Sequence, residues 1–373
     1  EHKASTEFPH CPNRKCEFYE PSPEWRYSPW GSYDAPSVSK PIPRYRCRTC
    51  RRTFTSRTFS ATYWLHLTDR FQTIAQLSVA GSGIRQIART LGITHPTVSR
   101  HLTRAARQCL VLHREVLSQA QLTEPACIDG FETFEHSQFF PYHINIAAGH
   151  DSWCIYHFND APLRRKGSMT PLQKARRQEL EARLGRPDPR AIENSVHDLI
   201  QEMFPLLRPG RSRQLQVHSD QHPAYVRSIR RLRRHEGAPR IIHVRTPSTD
   251  PRTRANHLFA INLADLLLRH GGANHRRETI AYDKRRQSGL ERMAVFVVWR
   301  NLIKWRRENE PGVTAAIAAG LARHRWQWGE VFARRRFPRR SQLPGSWWDY
   351  YWRKVKTAAL GDNQTENLAR FAF

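Results

Sequence analysis

The stretch Arg213-Gln-Leu-Gln-Val-His-Ser-Asp220 is followed at once by Gln221-His-Pro-Ala-Tyr225, and the interpretation of the chain starts here. Leu215 and Val217 alternate with polar neighbours, which is the period of a half-buried strand. Pro223 then falls in what reads as the first turn of a helix. A carboxylate at the open end of a buried strand is held rigidly and still reaches solvent. Asp220 is therefore either a ligand for a hard cation or the N-cap of that helix.

A second strand-like run, Ala126-Cys-Ile-Asp129-Gly, also ends on a carboxylate, and a later amphipathic helix carries Glu291. Mg²⁺ prefers carboxylate oxygens, and two such ions activate an attacking oxygen and screen charge on a leaving one. We therefore predict that Asp129, Asp220 and Glu291 are catalytic residues that bind Mg²⁺ or Mn²⁺.

The third acid of this set has two alternatives, Glu278 and Asp265. Glu278 lies among arginines, where an ion pair is the simpler interpretation, and Asp265 lies on a helix that could border the cleft. His218 and His222 flank Asp220, and they either orient water or phosphate or serve only in packing.

The chain carries a large excess of positive charge, with Lys+Arg 61 against Asp+Glu 33 in 373 residues, a formal net charge of +28. Most of these cations are arginines, whose planar guanidinium group can form paired hydrogen bonds with phosphate groups and guanine edges. The composition favours a polyanionic partner, but it does not distinguish an enzyme from a structural nucleic-acid-binding protein. No apolar run approaches the roughly 20 residues that span a bilayer, so no membrane association is expected.

Four of the seven cysteines form two close pairs, Cys11-Pro-Asn-Arg-Lys-Cys16 and Cys47-Arg-Thr-Cys50. Two tight turns that each aim two thiolates at one point suit tetrahedral Zn²⁺. An odd cysteine count with this pairing is typical of metal binding in a reducing compartment. We expect a zinc ribbon in a cytoplasmic, nucleoid-associated bacterial protein.

Residues 66–108 have the periodicity of consecutive helices. Ile84-Arg-Gln-Ile-Ala-Arg-Thr-Leu91 is followed by Gly92-Ile93, and Thr94 then caps a second helix with Pro96 near its start. This pattern is typical of a helix-turn-helix whose second helix enters the major groove of DNA, although an ordinary helical hairpin would share it. The side chains expected to contact DNA from this helix are His95, Thr97, Ser99, Arg100 and Arg104.

The largest unit has three consecutive strand patterns followed by alternating helix and strand, which predicts a mixed five-stranded α/β sheet covered by helices. The expected divisions are a zinc ribbon at 1–62, the helix-turn-helix and a linking helix at 63–120, a catalytic domain at 121–310 with a helical insertion at about 161–210, and a tail at 311–373. The tail is rich in tryptophan and arginine, which either stack on bases and neutralise phosphates or form a small aromatic core.

From about residue 10 to 307, the chain resembles the insertion-sequence transposases of the DDE type that carry an N-terminal zinc ribbon and helix-turn-helix. The resemblance lies in the order of the predicted domains along the chain. It is most similar to the branch that contains the shortest bacterial insertion sequences. The stretches that carry the resemblance are Arg46-Cys-Arg-Thr-Cys-Arg-Arg-Thr-Phe54, Ile128-Asp129, His218-Ser-Asp220 with His222-Pro-Ala-Tyr225, and His275-Arg-Arg-Glu-Thr-Ile-Ala-Tyr282.

The resemblance implies a ribonuclease-H-like catalytic domain, with Asp129, Asp220 and Glu291 as metal ligands and Cys11, Cys16, Cys47 and Cys50 as zinc ligands. Arg276, Arg277 and Lys284 either hold the scissile DNA strand or form a solvated basic face. The expected function is a Mg²⁺-dependent DNA transposase that binds terminal inverted repeats, cleaves the element ends and joins the 3′-hydroxyls to target DNA. It would act on double-stranded DNA as a dimer or higher oligomer. The rival interpretation is a non-enzymatic DNA-binding regulator derived from such a protein, and a nuclease acting on RNA or branched DNA comes third.

Overall fold

The computed structural model describes residues 8–34, 41–210, 213–276 and 278–361. Arg277, one of the residues expected to hold DNA, lies outside the described residues. Within the described part of the chain, no helix is both long enough and apolar enough to cross a bilayer.

A three-stranded antiparallel sheet forms the N-terminal unit, with strands β1 (Tyr27–Tyr33), β2 (Ile42–Cys47) and β3 (Thr53–Thr55) in sequence order. Its core is small and aromatic, because Phe8, Trp25 and Phe54 pack around the buried cysteines. A unit with so few apolar residues gains little from burial alone, so its cysteines are the natural source of additional stability.

Three helices follow, α1 (Phe71–Val79), α2 (Ile84–Leu91) and α3 (His95–Leu117). The turn between α2 and α3 needs a positive φ at its first residue, which Gly92 supplies at 63°. Thr94 occupies the N-cap position of α3 and Pro96 lies in its first turn, as the sequence predicted. Ile74, Ile87 and Val98 join the three helices in one small core. The helix α3 then continues without a break into the main core, so the linking helix expected after the helix-turn-helix is the second half of α3.

The five-stranded mixed sheet predicted for the main unit is confirmed. Its order is β6-β5-β4-β7-β8, with β5 antiparallel to both β4 and β6 and β7 parallel to both β4 and β8. The strands are β4 (Ala126–Phe134), β5 (Pro141–Gly149), β6 (Ile155–Pro162), β7 (Gln214–Ser219) and β8 (Arg240–Arg245). In β7 the alternation seen in the sequence places Leu215 and Val217 in the core.

Helices cover this sheet, as the sequence predicted. The helices of this unit are α4 (Pro171–Leu184) and α5 (Ala191–Gln201) in the insertion, then α6 (Pro223–Leu232), α7 (Phe259–Gly271) and α8 (Arg286–Val298). Of these, α4 is mostly exposed, and Leu180 is its one buried residue. Helix α7 packs on β4 and β5, α5 packs on β5 and β6, and α8 lies along α3. A π-helical turn at Trp299–Ile303 ends α8, and there the amide of Asn301 bonds the backbone of Ile155 in β6.

Three short helices form the C-terminal segment, α9 (Ala315–Ala318), α10 (Trp328–Phe332) and α11 (Gly345–Tyr351). Trp347 is fully buried, and its indole N–H donates to the carbonyl of Phe158 in β6. Tyr350 and Tyr351 are also buried in the core shared with the sheet. Of the two interpretations of this segment, the aromatic core therefore agrees with the structure, and these three rings are inaccessible to bases.

Candidate functional site

The four paired cysteines meet at one point in the N-terminal unit. Their Sγ atoms all lie within 4.8 Å of one another, with Cys11 and Cys50 3.6 Å apart and Cys16 and Cys47 3.9 Å apart. Tetrahedral zinc with Zn–S bonds of about 2.3 Å requires sulfur–sulfur separations of about 3.8 Å. The buried cluster therefore has the donor set and spacing to bind zinc.

The wide spacing of the first cysteine pair does not prevent this convergence. The backbone N–H of Cys16 donates to the carbonyl of Asn13 at 2.9 Å, which closes the four intervening residues into a turn. The indole N–H of Trp25 donates to the sulfur of Cys47 at 3.3 Å, the kind of outer hydrogen bond that orients a metal-binding thiolate.

Asp129 and Asp220 lie at the point where two neighbouring parallel strands separate. The last paired residues are Ala126 with Val217 and Cys127 with His218. Continuing this parallel register by two residues places Asp129 opposite Asp220, with both side chains on the same face. The two carboxylates therefore converge at one strand-end cleft.

Hydrogen bonds from nearby backbone N–H groups and from one tyrosine hydroxyl fix the orientation of these two carboxylates. Oδ1 of Asp129 accepts from the N–H of Gly130 at 2.8 Å and from the hydroxyl of Tyr225 at 3.3 Å. A Cβ at Gly130 would stand 2.2 Å from the carbonyl oxygen of Ile144, so the glycine after Asp129 allows β5 to approach. Oδ1 of Asp220 accepts from the N–H of His222 at 2.8 Å.

The N-cap of α6 is His222, whose Nδ1 accepts from the N–H of Ala224. Asp220 lies two residues before that cap and does not occupy the N-cap position. Of the two sequence interpretations of Asp220, the N-cap is therefore excluded. His222 itself is exposed, whereas His218 is buried with 2% of its surface accessible.

A third carboxylate, that of Asp265 on α7, lies close enough to Asp129 for the two charges to interact. Burial raises the pKa of Asp265 to about 7, and the charge of Asp129 is the next cause. Oδ1 of Asp265 is buried and has no hydrogen-bond partner among the described residues. An orphaned carboxylate oxygen beside other acids is costly unless a cation neutralises it.

The pKa of Asp129 is raised as well, to about 6, mainly by burial, with the charge of Asp220 adding to the shift against the hydrogen bond from Gly130. Two acids in one cleft with pKa values shifted toward neutrality are a common property of functional sites. Carboxylate oxygens are the ligands that a hard divalent cation prefers. The oxygens of Asp129, Asp220 and Asp265 do not all lie within 4.8 Å of one another, so binding one cation would draw these side chains closer together.

Glu291 lies in different surroundings. It is buried on α8, and its carboxylate accepts hydrogen bonds from Thr103 at 2.8 Å and from Gln287 at 3.1 Å. It also forms an ion pair with Arg353 at 2.5 Å. The third acid that the sequence favoured is thus occupied between α3, α8 and the C-terminal segment, whereas Asp265, the least favoured alternative, is the one that interacts with Asp129. Glu278, the other alternative, is exposed in the loop before α8.

The residues expected to contact DNA from α3 divide into two groups. His95, Ser99 and Arg100 are exposed and Thr97 is half-buried. Arg104 is 7% exposed, and burial lowers its pKa to about 9, so its prediction as a DNA contact is wrong. The reason is that α3 becomes buried on all sides directly after Arg100, from His101 onward, which the helical period alone does not reveal.

Arg276 and Lys284 are both exposed on the segment between α7 and α8. The ammonium of Lys284 lies 3.3 Å from the ring centroid of Tyr282, and a guanidinium nitrogen of Arg276 packs against Gly81 in the turn between α1 and α2. These cations therefore remain accessible to an anionic partner.

Sequence reasoning missed several residues of the cleft. Tyr225 was noted only as part of a stretch, yet its hydroxyl reaches Asp129, and Arg252 and Arg269 both act on the pKa of Asp265. Only the position of Tyr225 on the helix after Asp220 gave a signal, because the two arginines come from a loop and a helix with no distinctive motif.

No model of a known protein family matches the sequence, and no curated protein sequence matches it.

Proposed function

We propose that this protein is a Mg²⁺-dependent DNA transposase in which Asp129, Asp220 and Asp265 hold the divalent cations. The observation that carries the proposal is the meeting of Asp129 and Asp220 where β4 and β7 separate, with the orphaned carboxylate of Asp265 beside them. The sheet order, three antiparallel strands followed by two parallel ones, supports a ribonuclease-H-like domain.

Bound Mg²⁺ supplies activation of an attacking oxygen and screening of charge on the leaving oxygen. The chain's own residues prepare the site. The hydrogen bonds from Gly130 and Tyr225 fix the orientation of Asp129, and that from the N–H of His222 fixes Asp220. Helix α7, packed on β4, carries Asp265 to the cleft.

Binding of double-stranded DNA would rest on the net charge of +28 and on the exposed start of α3. In the proposed helix-turn-helix, α2 and α3 are joined by three residues, and Ser99 and Arg100 face outward. Because α3 continues into the core that contains the sheet, DNA bound at its start is held at a fixed position relative to the cleft. Joining two ends also requires two chains, so a dimer on DNA is expected.

The test is nicking of a supercoiled plasmid that carries the element's ends. The wild-type protein should nick it only when Mg²⁺ is added, and Asp220→Asn should bind the ends with unchanged affinity without nicking. Binding without nicking by both proteins would favour the regulator interpretation. Equal nicking by both would remove Asp220 from the reaction.

A further inference from the structure

Three histidines from separate parts of the chain meet beside the beginning of β4. His150 follows β5, His218 lies in β7, and His257 precedes α7. One ring nitrogen of each lies within 4.8 Å of the others, and the ring centroids are 5.2, 4.8 and 5.9 Å apart. Three imidazoles this close are the ligand set of an open zinc site.

Backbone contacts of the sheet and its flanking loops fix the positions of these histidines. His218 is the register partner of Cys127, and the thiol of Cys127 donates to the backbone carbonyl of His257 at 3.0 Å. The N–H of His150 donates to the carbonyl of Pro125 at 2.9 Å. The three rings are thus tied to the beginning of β4 by separate interactions.

Neighbouring polar groups prepare two of the rings for metal binding. Nδ1 of His150 lies 2.7 Å from a carboxylate oxygen of Asp151, and a metal-bound histidine uses its second nitrogen in this way, with an oxygen accepting the proton. Nε2 of His218 lies 2.7 Å from the side-chain amide nitrogen of Gln216, and reversing the ends of that amide would place its oxygen as the acceptor. The remaining nitrogen of His218, Nδ1, is buried and has no hydrogen-bond partner among the described residues.

We propose that His150, His218 and His257 form a second zinc site, separate from the cysteine cluster and with its fourth position open to water or a phosphate oxygen. Tetrahedral Zn–N bonds of about 2.0–2.1 Å require nitrogen separations of about 3.4 Å. The ring nitrogens lie within 4.8 Å of one another, so zinc binding would require the rings of the exposed His257 and the half-exposed His150 to rotate toward His218. Neutral imidazoles select zinc over Mg²⁺, which prefers oxygen.

The site lies two residues before Asp129 and Asp220 along β4 and β7, a separation of about 7 Å along the strands. A bound cation there adds positive charge beside the cleft and offers a contact for the DNA backbone. The inference does not rest on the proposed function, since metal binding is measured without DNA.

The experiment measures zinc per chain by inductively coupled plasma mass spectrometry after dialysis against a weak chelator. Wild-type protein should hold two equivalents, and His257→Gln and His150→Gln should each hold one. His270→Gln, an exposed histidine at the end of α7, is the matched control and should retain two. Far-UV circular dichroism verifies the fold of each variant.

Cobalt substitution separates the two sites, because only thiolate ligands give an intense near-ultraviolet charge-transfer band. His257→Gln should keep that band and lose about half of the bound Co²⁺. One zinc equivalent in the wild-type protein, or two in both His257→Gln and His150→Gln, would overturn the proposal.

Discussion

Two acidic regions of the molecule, about equally prominent in the sequence, have opposite environments in the structure. Glu291 is buried and paired, with Arg353, Thr103 and Gln287 on its two oxygens. Asp129 and Asp265 lie in a cleft with other acids, and an oxygen of Asp265 has no partner among the described residues. A buried carboxylate with its charge already compensated holds the fold together, whereas a crowded and uncompensated one is suited to bind a cation.

The ion pair of Glu291 also joins the C-terminal segment to the rest of the fold. Arg353 donates to both Glu291 and Thr103, so one ion pair joins α8, α3 and the end of the described chain. Among the described residues, no cation forms a hydrogen bond with Asp129 or Asp265, and Arg252 and Arg269 act on Asp265 only through their charge. This contrast leads to the following predictions.

The largest expected effect is the loss of catalysis when a cleft carboxylate is neutralised. Asp129→Asn and Asp265→Asn should each lower Mg²⁺-dependent DNA cleavage about 1,000-fold or more, because metal-based charge stabilisation supplies several kcal/mol of the barrier reduction. Single-turnover cleavage of labelled end DNA measures this, with Glu291→Gln as the matched control. Cleavage lost in Glu291→Gln and kept in Asp265→Asn would reverse the assignment.

Removing Glu291 should affect stability more than chemistry. Glu291→Ala leaves Arg353 buried and unpaired, which costs about 3 kcal/mol of the free energy of unfolding. Urea denaturation followed by circular dichroism measures the loss. Glu308→Ala, which breaks the exposed pair with Lys304, should shift the midpoint little. Equal shifts for the two variants would show that the Glu291 pair is not a structural one.

The pH dependence of the cleft follows from its raised pKa values. With Asp129 at about 6 and Asp265 at about 7, both above their ordinary value of 3.8, the folded state binds more protons than the unfolded state between about pH 4 and 7. Without a divalent cation, stability should therefore fall as the pH rises through this window. Asp129→Asn should flatten the slope, and an unchanged slope would contradict the shift.

The proposed binding of Mg²⁺ would compete with the same protons. Below about pH 6, its apparent affinity should rise about tenfold per pH unit for each proton displaced. Isothermal titration calorimetry in two buffers of different ionisation enthalpy counts these protons, and no proton release at pH 6 would contradict the prediction.

The smallest effect distinguishes two arginines on one helix. Arg100 is exposed and Arg104 is buried, so Arg100→Ala should lower the salt dependence of DNA binding by about one unit of slope. Arg104→Ala should leave that slope unchanged and lower the unfolding midpoint. The same change in slope for both variants would mean that the DNA-contacting part of α3 extends from its exposed start to Arg104.

Several features of the fold followed from the sequence because they depend on local periodicity. The alternation at Leu215 and Val217 predicted β7, and the order of strand patterns predicted the five-stranded mixed sheet. Gly92 and Thr94 marked the turn between α2 and α3 for the same reason. The cysteine pairs predicted their own convergence, because each close pair restricts two sulfurs to one turn.

Long-range partners did not follow from the sequence. Glu291 and Asp265 both lie on helices with apolar faces, and only the tertiary structure shows that one meets Arg353 and the other meets Asp129. The histidine cluster was missed because its members come from a turn, a strand and a loop that share no motif.

The most direct measurement of the central claim is Mn²⁺ binding to zinc-loaded protein, followed by electron paramagnetic resonance. The account predicts that Glu291→Gln binds Mn²⁺ as the wild-type protein does, and that Asp265→Asn, folded as judged by circular dichroism, binds it much more weakly. Normal binding by Asp265→Asn together with loss of binding in Glu291→Gln would contradict the assignment of the cation to the cleft of Asp129, Asp220 and Asp265.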